Sequence, residues 1–271
     1  MRLSAKYNFI SELLETFRDL RGAFERWPLI INLASQDILA RYRGSVIGPW
    51  WITLVTLSLV LGIGTTYASS FHTQVAVLMP YVAVGVVTWS FLSAAISDGG
   101  EAFISAAALL RQTALPLPVF IFRSLVRNLV NLGHQLVIII GVLTWFRIFP
   151  GIAILWSLAG LASIIFNVSW ITMVIALISA RFRDVPQIVS ALLQFLFFLT
   201  PIFWLPSAVQ LEAPAIKYNP FFLAIQSVRA PLLQGISPVR ELAYLTAFGI
   251  IGWTIAILCY TQSRRRVVHF L

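Results

Sequence analysis

Six stretches of this chain each run for about twenty largely apolar residues, enough for one helical crossing of a hydrocarbon core about 30 Å thick. They cover residues 48–69, 80–107, 119–146, 152–180, 186–204 and 242–262. No water reaches that depth to satisfy backbone N–H and C=O groups, so such runs fold as helices. They do not alternate polar with apolar residues, as the strands of a membrane barrel do. Composition agrees: of 271 residues, 59% are hydrophobic and 11% charged, against about 25% charged in soluble domains. The expected fold class is an all-α membrane protein with six transmembrane helices.

The Lys and Arg residues set its orientation. Fifteen of the 19 fall on the side that holds both termini, and four, Arg147, Lys217, Arg229 and Arg240, fall on the other. Positive charge collects in cytoplasmic loops, so both termini are expected in the cytoplasm. The net charge of +9 is spread between apolar runs rather than over one soluble face, so nucleic acid is not an expected partner. The first apolar run follows a polar segment of about 45 residues, which is not the pattern of a cleavable signal peptide.

The chain therefore divides into a cytoplasmic segment, 1–45, and a membrane domain, 46–271. In the first, Ile10, Leu13, Leu14, Phe17, Leu20 and Phe24 recur at helical spacing among Glu12, Glu15, Arg18, Asp19 and Glu25. This is an amphipathic helix, lying either in the membrane interface or against a protein partner. Residues 206–240 are moderately apolar but broken by Pro206, Pro214, Pro220, Pro231 and Pro238. Short re-entrant helices on the extracytoplasmic side, or an extended loop there, would accommodate them.

Several chemistries are missing from the sequence. It contains no G-x-x-x-x-G-K-[ST] phosphate loop, and neither lysine, Lys6 or Lys217, follows a glycine. No H-E-x-x-H or G-x-S-x-G motif is present, and His72, His134 and His269 lack metal-ligand spacing. A lone Cys259 excludes an internal disulfide. No catalytic residue and no metal site are expected. Asp98 and Glu101 near one end of the second run, and a polar face of Arg127, Asn128, Asn131, His134 and Gln135 on the third, are the notable polar groups at membrane depth. That face either lines a channel mouth or ties helices together by hydrogen bonds. Neither arrangement supplies a proton path, so energy for uphill transport is expected from a separate ATPase.

A receiver for that energy is expected in residues 108–118, between the second and third runs. There Leu109, Leu110 and Arg111 precede Pro116 and Pro118. A short helix with exposed apolar residues and one cation suits a partner's groove, although a plain turn satisfies the same pattern. Aromatic residues are dense in the fifth run, with Phe195, Phe197, Phe198, Phe203 and Trp204 near Gln194 and Thr200, and Tyr67 and Phe71 lie at the outer end of the first. Such rings either fill packing space or line a channel, where they would stack on the C–H faces of sugars. In the first run, Ser58 and Gly62, then Gly64 and Ala68, allow close helix packing.

These residues also form a recognisable series. Arg41-Tyr42-Arg43-Gly44-Ser45-Val46-Ile47-Gly48-Pro49-Trp50-Trp51 resembles the R-Y-[RK]-x-[ST]-x-L-G-x-x-W signature before the first span in permeases of ABC-2 type polysaccharide exporters. Residues 107–116 resemble the family's N-x-x-L-[IV]-x-K…-F-P stretch, with Ala107 and Leu115 departing from it. Arg181-Phe182-Arg183-Asp184-Val185 resembles [RK]-x-R-D-[VIL], Thr200-Pro201-Ile202-Phe203 resembles S-P-[IV]-[FLW], and Asn219-Pro220-Phe221 resembles N-P-[FLM]. The resemblance implies a homodimer in a bacterial inner membrane, working with two copies of a nucleotide-binding ABC ATPase that carries the ATP and Mg. It implies export of a lipid-linked polysaccharide, such as O antigen, capsule or teichoic acid. Leu109, Leu110, Arg111 and Pro116 would then belong to a coupling helix. Arg41 and Arg43 would grip a lipid phosphate or act as membrane anchors. Tyr67, Phe71, Phe195, Phe198, Phe203 and Trp204 would line the channel, and residues 206–240 would form a gate at its exit. An ABC-2 exporter of a small drug or lipid is the alternative, followed by a membrane-bound transferase, which would need clustered Asp, Glu or His at one membrane face.

Overall fold

The computed structural model describes residues 9–70, 73–205 and 218–270, and these are helical with no strand among them. Among these described residues ten α-helices follow in order: α1 (Phe9–Glu25), α2 (Trp27–Arg41), α3 (Trp50–Ser70), α4 (Val75–Ser105), α5 (Ala107–Gln112), α6 (Pro118–Trp145), α7 (Ile154–Arg181), α8 (Val185–Leu199), α9 (Pro220–Gln234) and α10 (Val239–Phe270). A 3₁₀ turn, Gly151–Ala153, leads into α7.

Among the described residues five segments are long and apolar enough to cross a membrane: Trp50–Ser69, Val75–Ser105, Pro118–Trp145, Gly151–Arg181 and Val239–Val267. This is a multi-pass membrane protein. The sixth expected span, 186–204, differs. Its helix, α8, has 15 residues and stops at Leu199. Pro201 cannot donate a backbone hydrogen bond, and the chain turns through Pro201–Trp204 while its side chains stay apolar. Hydropathy thus outlasts the helix. The amphipathic N-terminal segment also differs, being two helices that break at Arg26, because Pro28 has no N–H to bond the carbonyl four residues back and is tolerated only in the first turn of a new helix.

The long helix α4 is the axle of the fold. It contacts α3, α6, α7, α8 and α9, and most of its length is buried. Glycines set the closest approaches. A Cβ at Gly99 would lie 2.4 Å from the Thr172 methyl carbon on α7. On the far side of α7, a Cβ at Gly252 would lie 2.0 Å from the Trp170 ring, so α10 presses directly onto that indole.

Helix α1 is turned with its polar side inward. Glu12 and Thr16 are buried, whereas Ile10, Leu14, Phe17 and Phe24 are exposed. Thr16 shares a hydrogen bond of 2.9 Å with Thr261 on α10, Tyr260 donates to Asp19 at 2.8 Å, and Arg264 approaches Asp19 at 3.1 Å. Arg265 pairs with Glu12. These bonds hold the N-terminal helix beside the C-terminal end of α10. Helix α5 touches the same helix, and Pro116 lies by Gly22 of α1. One end of the bundle therefore gathers α1, α5 and the end of α10.

Candidate functional site

Helices α4 and α8 splay to leave a groove of about 670 Å³. Trp89, Ser93 and Ser97 project from α4 one helical turn apart, and Ser190, Gln194, Phe197 and Phe198 face them from α8. Hydroxyl and amide groups run along its middle and aromatic rings crowd one end, with no charged side chain among the described residues of the lining. Such a surface offers weak hydrogen bonds and flat apolar faces, with no fixed charge to trap a passenger.

The aromatic end is a continuous cluster. Phe203 lies 5.3 Å from Tyr67, 5.4 Å from Phe197 and 6.1 Å from Phe198, measured between ring centroids. Trp89 extends it, 5.8 Å from Phe197 and 5.5 Å from Phe221 at the start of α9. Tyr67, Phe198 and Phe203, three of the six expected channel residues, are thus brought together, with Phe198 in the groove's lining and Tyr67 and Phe203 joined to it by ring contacts outside that lining. Trp204 is beside them, its indole N–H directed at the Phe198 carbonyl at 3.4 Å. Phe195 does not line the groove and is 64% exposed on another side of α8. Phe71 lies outside the described residues. Trp89, Ser93, Ser97 and Ser190 were not singled out from sequence, whereas Phe197 and Gln194 belong to the stretch already marked as dense in aromatics. The spacing of Trp89, Ser93 and Ser97 marks one face of a helix, but nothing local says what that face meets.

The expected coupling segment contains the six-residue helix α5. Leu110 is buried in the core and Leu109 is half-buried against it. Arg111, Gln112, Thr113 and Ala114 are exposed, and Pro116 is half-buried. The apolar residues hold the helix to the bundle, and the cation is the part presented outward. Arg41 and Arg43 are both exposed on the turn between α2 and α3. That turn needs left-handed backbone at Gly44 (φ 80°) and Gly48 (φ 60°).

Two residues of the polar face of α6, Arg127 and Asn128, tie helices together, as does Arg123 one turn before them. Arg123 forms a two-point pair with Asp37 of α2, donating from Nε at 2.7 Å and from Nη2. Arg127 donates to Asp37 at 3.2 Å and to Asp98 of α4 at 2.7 Å, and Asn128 donates to the same Asp98 oxygen at 3.0 Å. His134 packs edge-on against Trp50 with centroids 5.2 Å apart. Among the described residues no group of three His, Cys, Asp or Glu is placed to hold a metal ion.

The family model described as ABC-2 type transporter matches residues 28–233. The chain is similar to an O-antigen export system permease protein RfbA of Myxococcus xanthus, 26% identical over 245 residues, which cover 86% of this chain and 92% of that protein. It is also similar to a protein of the same name from Klebsiella pneumoniae, 20% identical over 248 residues, covering 90% of this chain and 95% of the relative.

Proposed function

This chain belongs to the ABC-2 type transporter family, and from that membership we propose that it is the permease subunit of an exporter that moves a lipid-linked polysaccharide, O antigen foremost, out across the bacterial inner membrane. The names of its relatives, which match over most of both chains, support the substrate class. The observation that carries the reading is the groove between α4 and α8, uncharged among the described residues, with hydroxyls along its middle and rings packed at tilted and edge-on angles at its end. A polyhydroxylated chain can slide past such a wall by exchanging weak contacts, since no single one is strong enough to hold it.

Two copies would close the path. Beside the groove, α3 exposes Leu54, Val55, Ser58, Leu59 and Gly62, while Gly64 and Ala68 face Met79 and the core. The small residues are thus divided between internal packing and a free face suited to a second α3 or α8. The joining of α1 to the end of α10 favours an even number of crossings, because an odd number would separate the termini. Helix α8 with the turn after it would be the sixth. The exposed apolar stripe of α1 would rest in the cytoplasmic leaflet. An ABC ATPase with its ATP and Mg would press on α5 at Arg111, and Arg41 and Arg43 would meet lipid phosphate at the cytoplasmic entrance.

Reconstitution of the chain with its ATPase in vesicles, supplied with an undecaprenyl-pyrophosphate-linked glycan, tests this directly. ATP-dependent movement of the glycan across the bilayer is expected. Export of small amphiphiles with no transport of the glycan would instead establish the small-molecule reading.

A further inference from the structure

Arg229 lies in the middle of α9 and is 2% exposed. A guanidinium cannot discharge at physiological pH, so it must be compensated where it sits. Among the described residues no carboxylate pairs with it. Its Nη1 donates to the Pro201 carbonyl at 3.0 Å and its Nη2 to the Ile202 carbonyl at 3.2 Å. The face of the Tyr81 ring on α4 lies 3.6 Å from its central carbon, and the Tyr81 hydroxyl donates to the same Pro201 carbonyl at 3.1 Å. Both carbonyls belong to the turn where α8 has ended, and the negative end of a helix favours a cation there.

The place is built around the guanidinium. A Cβ at Gly85 of α4 would lie 2.1 Å from Nη2 of Arg229 and 2.7 Å from the Ile202 carbonyl oxygen. Gly85 is therefore a notch into which the cation and the turn both fit. A second tie runs parallel, from the Asn219 amide at the start of α9 to the Thr200 hydroxyl at 3.1 Å. The next residue after Ile202 is Phe203, the ring that joins Tyr67 to Phe197. Arg229 thus sets the position of the aromatic end of the groove without lining it.

We propose that Arg229 is a positioning residue that locks the turn after α8 to α4 and α9 and so keeps the outer end of the permeation path closed at rest. The proposal rests on the reading that the path runs beside α8. Opening the exit by moving that turn requires the two carbonyl bonds and the ring contact to be given up together. A well-packed apolar residue would stabilise the core at least as well, but it would not fix the direction of two carbonyls.

The test uses the full chain in liposomes without nucleotide or glycan. Spin labels at Leu199→Cys and Phe149→Cys, in a Cys259→Ala background, report the distance between the end of α8 and the α6–α7 turn, while a trapped dye reports leak. The native side chains are expected to give a narrow distance distribution and a tight vesicle. Arg229→Lys, which keeps the charge but loses the two-pronged fork, should broaden the distribution and raise dye release several-fold. Gly85→Ala, which removes no polar contact and only fills the notch, should do the same. Tyr81→Phe, which keeps the ring and loses one bond to Pro201, should fall between. Unchanged label distances in Arg229→Lys and Gly85→Ala would overturn the lock, whether or not the native protein exports glycan in the vesicle assay. A broadened distribution in vesicles that stay tight would overturn the sealing role.

Discussion

Asp37 on α2 accepts two hydrogen bonds from the guanidinium of Arg123 on α6, so that one carboxylate fastens the N-terminal segment to the membrane bundle. One turn along α6, Arg127 reaches the same carboxylate and also Asp98 of α4. Three helices that are far apart in sequence meet in this chain of charges. Its side chains are between 18% and 23% exposed.

Removing the shared acceptor should be costly. Asp37→Ala leaves two arginines short of a partner in a poorly solvated place, and a loss of about 2–3 kcal/mol is expected, below that of a fully buried pair. Thermal unfolding in detergent measures it. High salt should change the native stability little, because partly buried pairs are screened less than exposed ones. A variant as stable as the native chain would show that the pairing is incidental.

The α7–α10 seam should tolerate no added carbon at its closest point. Gly252→Ala must displace the Trp170 ring, at a cost of about 1–3 kcal/mol. Gly62 has nothing within 4 Å of an added Cβ, so Gly62→Leu should leave the melting temperature of the separated chain within the scatter of ordinary surface changes, about 0.5 kcal/mol. If the free face of α3 meets a second copy, the same variant should reduce the dimer fraction seen by light scattering or cross-linking.

At α5 the two roles of neighbouring residues can be separated. Leu110→Ala should destabilise the chain by about 2–3 kcal/mol, since it empties a core position. Arg111→Glu should leave its melting unchanged and abolish co-purification with the ATPase subunit, because the side chain projects outward. Normal recovery of the ATPase with Arg111→Glu would move the contact elsewhere.

Among the clustered aromatics, burial divides stability from transport. Phe203 is 8% exposed and touches three rings, so Phe203→Ala is expected to cost about 3–4 kcal/mol. Phe198 is 67% exposed, so Phe198→Ala should be nearly neutral for folding while slowing glycan export in vesicles. Equal export rates for native and Phe198→Ala proteins would remove that ring from the path.

The spans α3, α4, α6 and α7 were readable because lipid demands long apolar helices and few other segments can supply them. Two ends misled for opposite reasons. After α8, Phe203 and Trp204 prolong the apolar run although Pro201 has already broken the backbone pattern. In α10, hydropathy falls at Arg264–Arg266, yet the helix continues to Phe270, alongside carboxylates from α1 that no local window contains. In the sequence Arg229 is only one of four cations on the outer side. Only the fold brings Tyr81 and the Pro201 carbonyl to it. The groove suffered the same limit: its serines lie on one helical face, but their partners on α8 are about a hundred residues away.

The shortness of α8 has a consequence for the surrounding lipid. Fifteen residues rise about 22 Å, whereas an average hydrocarbon core is about 30 Å thick. With α8 as the sixth crossing proposed above, the two leaflets beside it would have to pinch together, or polar headgroups and water would dip toward the turn at Thr200–Trp204. A sugar leaving the aromatic cluster would therefore meet aqueous surroundings while still below the plane of the outer phosphates. Bilayers of longer acyl chains should oppose that dimple and slow release, making thickness itself a control on turnover.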